Sequence, residues 1–202
     1  MSDDDALRGQ AGDLGVFLGP PQLSQLRRFE KLLADRAVPL GAISRSDAAR
    51  IRERHTLDSL RAVPVVEGVD EAADLGSGAG LPGVVVAIAL PRVRMLLIER
   101  RPQRAAFLEL AVEDLGLGNA VVVAGRVEDV AGDVDVALAR AFAPIDEAWA
   151  RALGILRPGG RFVYFAGSGS GTPEAPTGSV IQSVVRTPVL ESAGALVIMT
   201  RQ

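Results

Sequence analysis

The sequence contains no cysteine and a single histidine, His55, in 202 residues. Disulfides and thiolate metal centres are therefore excluded, and a histidine-rich metal site has no ligands to draw on. Lysine is almost absent too: Lys31 stands alone against 21 arginines (22 basic residues in all). A GC-rich genome accounts for such a bias, and so does recognition of phosphate or guanine by the planar guanidinium fork. Aromatic residues make up only 4%, so the core must be built from Val, Leu and Ala. No apolar run reaches the roughly 18–20 residues of a membrane span. The acidic start "MSDDDALRGQ" is unlike a signal peptide. A cytoplasmic protein without membrane contact is expected, and a monomer. The net charge of -3 excludes a globally basic nucleic-acid binder, so any RNA contact must come from local clusters.

What is present falls into two parts. Residues 1–65 are expected to form an N-terminal helical segment packed on the core. Apolar positions from Leu7 to Leu33 recur at helical spacing, with Pro20 and Pro21 separating two helices. Ser44 and Ser46 open "SRSDAARIRERHTLDSLRAV", which predicts a third helix. Its Arg45, Arg50, Arg52, Arg54 and His55 form the best basic cluster, with Arg50 and Arg54 as i, i+4 neighbours on one helix face.

Residues 66–202 change rhythm. Short apolar strands alternate with helices: "AADLG", "LPGVVVAIAL", "VRMLLIER", "PQRAAFLELAVEDLGL", "AVVVAGRVED", "VDVALARA", "IDEAWARALGIL" and "GRFVYFAG". This alternation predicts an α/β, Rossmann-like doubly wound sheet covered on both faces. "SVIQSVVRTPVL" and "GALVIMTR" follow with no helix between them, which predicts an antiparallel C-terminal hairpin at the sheet's edge. "GSGSGTPEAPTGS" between them and the last parallel strand reads as a flexible surface loop.

The first strand-to-helix crossing is "DLGSGAGLPG", Asp74 to Gly83. Gly76, Gly78 and Gly80 allow a tight turn and close approach of a ligand to main-chain N–H groups. Gly78, Gly80 and Gly83 match a dinucleotide pattern, and no Lys-Ser/Thr pair follows to make a P-loop. Glu99 ends the next strand, where an acid can reach ribose hydroxyls. Both features suit either a nicotinamide cofactor or S-adenosylmethionine. Asp74 favours the latter, since a carboxylate faces the cationic amino-acid end of S-adenosylmethionine but repels a pyrophosphate. "LRPGGRFVYF", Leu156 to Phe165, followed by a terminal hairpin, favours the closing half of a class I methyltransferase sheet.

"RHTLDSL", "DLGSGAGLPG", "GRVED" and "ARAFA", in that order, resemble the bacterial 16S ribosomal RNA guanine-N7 methyltransferases, the glucose-inhibited division protein B family, over roughly residues 20–166. The resemblance implies S-adenosylmethionine bound by Gly76, Leu81, the pair Val127 and Glu128, and Arg140. It implies a substrate in 16S ribosomal RNA or the small ribosomal subunit, at guanine 527 of the 530 loop. His55 and its neighbours Arg50 and Arg54 then fall on the substrate side. Arg126 and Arg140 become candidates to donate to guanine O6 while leaving N7 free. The chain departs from the family pattern at Ala34, Asp35, Pro39 and Gly41, and at Ala166, where a lysine is usual. Guanine N7 offers a lone pair without deprotonation, so transfer needs positioning more than a general base, and a chain this poor in nucleophiles can perform it. The other readings are a non-catalytic S-adenosylmethionine- or RNA-binding paralogue and an NAD-dependent oxidoreductase.

Overall fold

Alternation of side chains along the central strands generates two separate apolar layers, one on each face of a sheet. The computed structural model describes residues 2–167, 174–177, 179–187, 190 and 193–202. Most of the glycine- and serine-rich stretch read as a loop lies outside those residues.

The sheet contains β1 (Glu71–Leu75), β2 (Arg94–Glu99), β3 (Ala120–Ala124), β4 (Val134–Arg140), β5 (Leu156–Phe165), β6 (Ser179–Val185) and β7 (Leu196–Arg201). Their order is β3-β2-β1-β4-β5-β7-β6. The first five run parallel. β7 pairs antiparallel with both β5 and β6. The expected hairpin is therefore present, with its second strand inserted next to β5 and its first at the edge. Between β1 and β4 the chain reverses its direction of travel across the sheet, and ligands of open α/β sheets bind outside the strand ends at such a switch point.

On one face, Met95 and Leu97 of β2 and Val136 and Leu138 of β4 pack against α5 (Gly83–Ala89) and α6 (Pro102–Leu115). Every residue of α5 is buried, because a further helical layer covers it. That layer is α1 (Asp3–Gly12) and α2 (Pro20–Leu32), whose Leu7, Leu23, Leu26 and Phe29 join the same cluster. On the other face, Leu96, Ile98, Ala137 and Ala139 meet Ala148, Trp149 and Ala152 of α7 (Ile145–Leu153).

The single helix expected over residues 44–63 is not formed. The segment is a tight 3-10 turn at Arg45–Arg50, a wide π turn at Arg52–Leu57, then the short α3 (Asp58–Leu60) and α4 (Val63–Val66). The physical reason lies in burial: His55, Thr56 and Leu57 are consecutive and all buried. Three successive inward side chains do not fit the one-sided stripe of an amphipathic α-helix. Arg50 and Arg54 consequently sit in different turns, not on a shared helix face.

One buried arginine ties this segment to the C-terminal hairpin. Arg61 donates to Asp58 Oδ1 (2.6 Å), Thr187 Oγ1 (2.8 Å) and the carbonyl of Gly194 (2.8 Å). Removing one partner of a buried, hydrogen-bonded ion pair costs about 3–5 kcal/mol. Arg61→Ala is expected to lower the unfolding free energy by about that amount, measured as a reduced urea midpoint with an unchanged slope.

Candidate functional site

The glycine loop is held open by hydrogen bonds to acidic side chains. Gly76, Gly78 and Gly80 have φ of +68°, +58° and +84°, a region glycine enters without steric cost. Gly76 also leaves room for the ring of Phe142, which a Cβ there would strike. Gly80 packs against Val84 and Leu108, so it serves closure of the loop onto α5 and α6.

Glu99 is buried at the end of β2. One carboxylate oxygen accepts from the N–H of Gly78 (3.0 Å), the other from the N–H of Arg101 (2.8 Å). A carboxylate has about four lone-pair sites, so two stay available beyond these bonds. Asp74, also buried, accepts from the N–H of Gly83 through Oδ2 (3.0 Å). Ser77 donates to its backbone carbonyl (3.0 Å). Burial pushes the Asp74 carboxyl up to about 7. Asp74 thus secures the first turn of α5 and lies behind the loop rather than on the cavity wall.

A cavity of about 380 Å³ opens at the carboxyl ends of β1 to β4. Gly76, Glu99, Arg126, Val127 and Glu128 line it, together with Phe142 and Arg151. Gly78, Gly80 and Leu81 lie outside its lining. Leu81 immediately precedes a cis peptide bond to Pro82.

Arg140 faces a second cavity, of about 290 Å³, with Arg54, Asp58, Tyr164, Ala166 and Gly194. Its Nη2 donates to the carbonyl of Arg54 (2.9 Å) and meets His55 Nδ1 (2.9 Å). Its Nε lies 3.5 Å from Asp58 Oδ2. Burial lowers the Arg140 pKa. Because arginine only donates, His55 Nδ1 must accept, which assigns the imidazole proton to Nε2. Burial, reinforced by the Arg140 charge, lowers His55 to about 4. Arg50 is turned away: its guanidinium pairs with Glu53 (2.5 Å). Of the sequence candidates, then, Gly76, Glu99, Arg126, Val127 and Glu128 meet at one cavity, Arg54 and Arg140 at another, and Arg50 at neither.

The two cavities share Ala141, whose φ of +50° makes it the one non-glycine residue at positive φ among the described residues. Sequence reasoning passed over Phe142, Asp58 and Arg151. The first two lay inside the quoted motifs "ARAFA" and "RHTLDSL", but only the folded chain brings Phe142 over Gly76 and Asp58 beside Arg140.

A family model described as rRNA small subunit methyltransferase G (GidB) matches residues 22–180. The chain is 39% identical over 152 residues to the ribosomal RNA small subunit methyltransferase G of Mycolicibacterium gilvum, covering 73% of this chain and 66% of that protein. To the protein of the same name from Aromatoleum aromaticum it is 37% identical over 161 residues, covering 77% and 76%. The match to the first relative thus spans just under two thirds of its length. Among solved structures, a SAM dependent methyltransferase from Aquifex aeolicus superposes with a TM-score of 0.57 at 14% identity, covering 83% of this chain and 96% of that one. M. jannaschii TYW2 in complex with AdoMet gives 0.56 at 13% identity, covering 71% and 73%. At these identities the likeness is one of fold, that of class I methyltransferases.

Two titrations test the electrostatics. His55 is the only histidine, so its imidazole nitrogens give one set of NMR signals. They are expected to report the Nε2–H tautomer at pH 6 and a midpoint near 4. The unfolded chain takes up that proton at higher pH, so this group's contribution to stability is lost as pH falls from about 6.5 towards 4. Asp74 acts in the opposite direction. Its folded pKa is raised, so stability is lost as pH rises from 3.8 to about 7. Asp74→Asn, which keeps an acceptor for Gly83, is expected to be more stable than the unmutated protein at pH 8 and to show no such gain at pH 4.

Proposed function

The chain belongs to the rRNA small subunit methyltransferase G family, and from that premise we propose that it transfers a methyl group from S-adenosylmethionine to N7 of a guanine in small-subunit ribosomal RNA, at position 527 of the 530 loop. The observation that carries this reading is the cavity at the switch point between β1 and β4, framed by Gly76, Glu99 and the Val127–Glu128 pair. Its volume of about 380 Å³ is within the range of small-molecule sites. Membership of a methyltransferase family sets aside the nicotinamide reading.

The residues present fit the cofactor. Glu99 spends two lone pairs on the loop and keeps two for ribose hydroxyls. Gly76 admits a ligand to the main chain. When bound, S-adenosylmethionine supplies an electrophilic methyl on a sulfonium, and the N7 lone pair of guanine accepts it without a base. The work left to the protein is alignment. The second cavity, across Ala141, suits the incoming base. There Arg54, Asp58 and Arg140 present both donors and an acceptor to the base edge. Asp58 and His55 hold Arg140 in place.

A second reading is favoured by one residue. Ala166 lines the second cavity where the family resemblance leads one to expect a lysine, and that loss is compatible with a cofactor- or RNA-binding protein that does not transfer methyl groups.

Titration calorimetry is expected to detect binding of S-adenosylmethionine and none of NAD. The 2′-deoxy analogue of S-adenosylmethionine should bind roughly tenfold more weakly, the loss of one hydrogen bond to a charged group. Gly78→Val places a β-branched residue at φ +58° and is expected to abolish binding while the circular dichroism spectrum stays folded. Transfer of label to small subunits lacking the modification, followed by mapping of 7-methylguanine, decides between the readings. Cofactor binding without transfer would support the non-catalytic one.

A further inference from the structure

Most arginines whose side chains are described are matched to a carboxylate: Arg27 with Asp4, Arg50 with Glu53, Arg52 with Asp3 and Glu30, Arg54 with Asp47, Arg151 with Glu128 and Glu147. Of the arginines without such a partner, four cluster on the rim of the larger cavity. Arg100, Arg101, Arg104 and Arg126 make no ion pair and no side-chain hydrogen bond among the described residues, and all four line that cavity. Their placement is continuous. Arg100 and Arg101 lead from β2 into α6, and Arg104 sits in its first turn. Arg104 Nη1 lies 3.8 Å from where a Cβ on Gly78 would be, so it reaches back over the glycine loop. Arg126 follows β3, whose Ala124 pairs with Glu99 of β2.

The cofactor does not account for this charge. S-adenosylmethionine carries a sulfonium, an ammonium and one carboxylate, a net positive charge at neutral pH. Five arginines and three glutamates line its cavity. Glu128 and Glu147 pair with Arg151, and Glu99 spends two lone pairs on main-chain N–H groups, so the guanidinium charges outnumber the carboxylates. A cationic ligand gains nothing from four unmatched guanidinium groups, and like charges held together repel unless an anion meets them. A string of phosphates is the complementary partner, and the guanidinium fork fits it well.

We propose that Arg100, Arg101, Arg104 and Arg126 form the surface on which the phosphate backbone of the substrate RNA docks, leading it across the glycine loop towards the reactive centre. This rests on the proposed function above. It moves the RNA contact away from Arg50 and Arg52, whose guanidinium groups are already paired within the chain.

The test compares the unmutated protein, the triple variant Arg100→Ala, Arg101→Ala, Arg104→Ala, and Arg50→Ala for binding to protein-free 16S RNA and to intact small subunits over a range of salt. Each phosphate contact contributes about 0.7 to the slope of log affinity against log salt on a single strand. The triple variant is therefore expected to lose about 2 from the slope on both targets, Arg50→Ala none, with S-adenosylmethionine affinity kept within about twofold. An unchanged slope overturns the proposal. So does a tenfold loss of cofactor affinity, which would assign the rim to the cofactor. Loss on intact subunits alone overturns it as well, in favour of a ribosomal protein as the partner. If the unmutated protein bound neither target, the proposed function would fall and the rim with it. If it bound both and only the variants behaved unexpectedly, the rim alone would fall.

Discussion

The Glu99 carboxylate is the joint on which the site depends. Its two oxygens take main-chain N–H groups from the glycine loop and from the start of α6, two segments that diverge from neighbouring strands. That joint ties the loop after β1 to the helix after β2, beside the Ser77 N–H donated to the Ile98 carbonyl and the packing of Gly80 against Leu108. Hydrogen bonds to a charged acceptor are about twice as strong as neutral ones, and burial of Glu99 keeps water from competing. Asp74 repeats the device one strand over, on Gly83. A loop rich in glycine, free to take many shapes as an isolated peptide, is thereby fixed in one.

Much of this was legible in the residues. The short apolar strands and the short connections indicate the doubly wound sheet, because apolar runs and β-α order are properties of sequence alone. The glycine loop and Glu99 were recognisable because a switch-point ligand site demands backbone access and an acid at fixed places along the chain. Two motifs quoted from the sequence also carried more than their recognised letters: Phe142 and Asp58 belong to contacts that exist only after folding.

The ion pairs within the basic cluster of the N-terminal segment were not legible in the sequence, for a physical reason. Sequence displays charges but not their partners. Arg52 meets Asp3 and Glu30 from two other helices, and no local pattern announces ion pairs between residues tens of positions apart. Nor does local propensity announce the π turn at Arg52–Leu57, which arises because the interior accepts three consecutive side chains there. The unmatched arginines at the cavity were visible as letters, and their significance came only from their gathering, without a carboxylate partner, on one cavity.

The positive φ of Ala141 fixes how the two cavities meet. This residue is a wall common to both cavities, so the partition between them is a single turn of main chain. A non-glycine residue in that conformation costs on the order of 1–3 kcal/mol and persists only where the surroundings over-determine it. Here β4 ends immediately before it and the α7 connection begins immediately after. The separation between the two cavities is therefore a property of the scaffold rather than of a rotatable side chain. Such a septum keeps one thickness, and its dimensions are inherited from the rigidity of the central sheet.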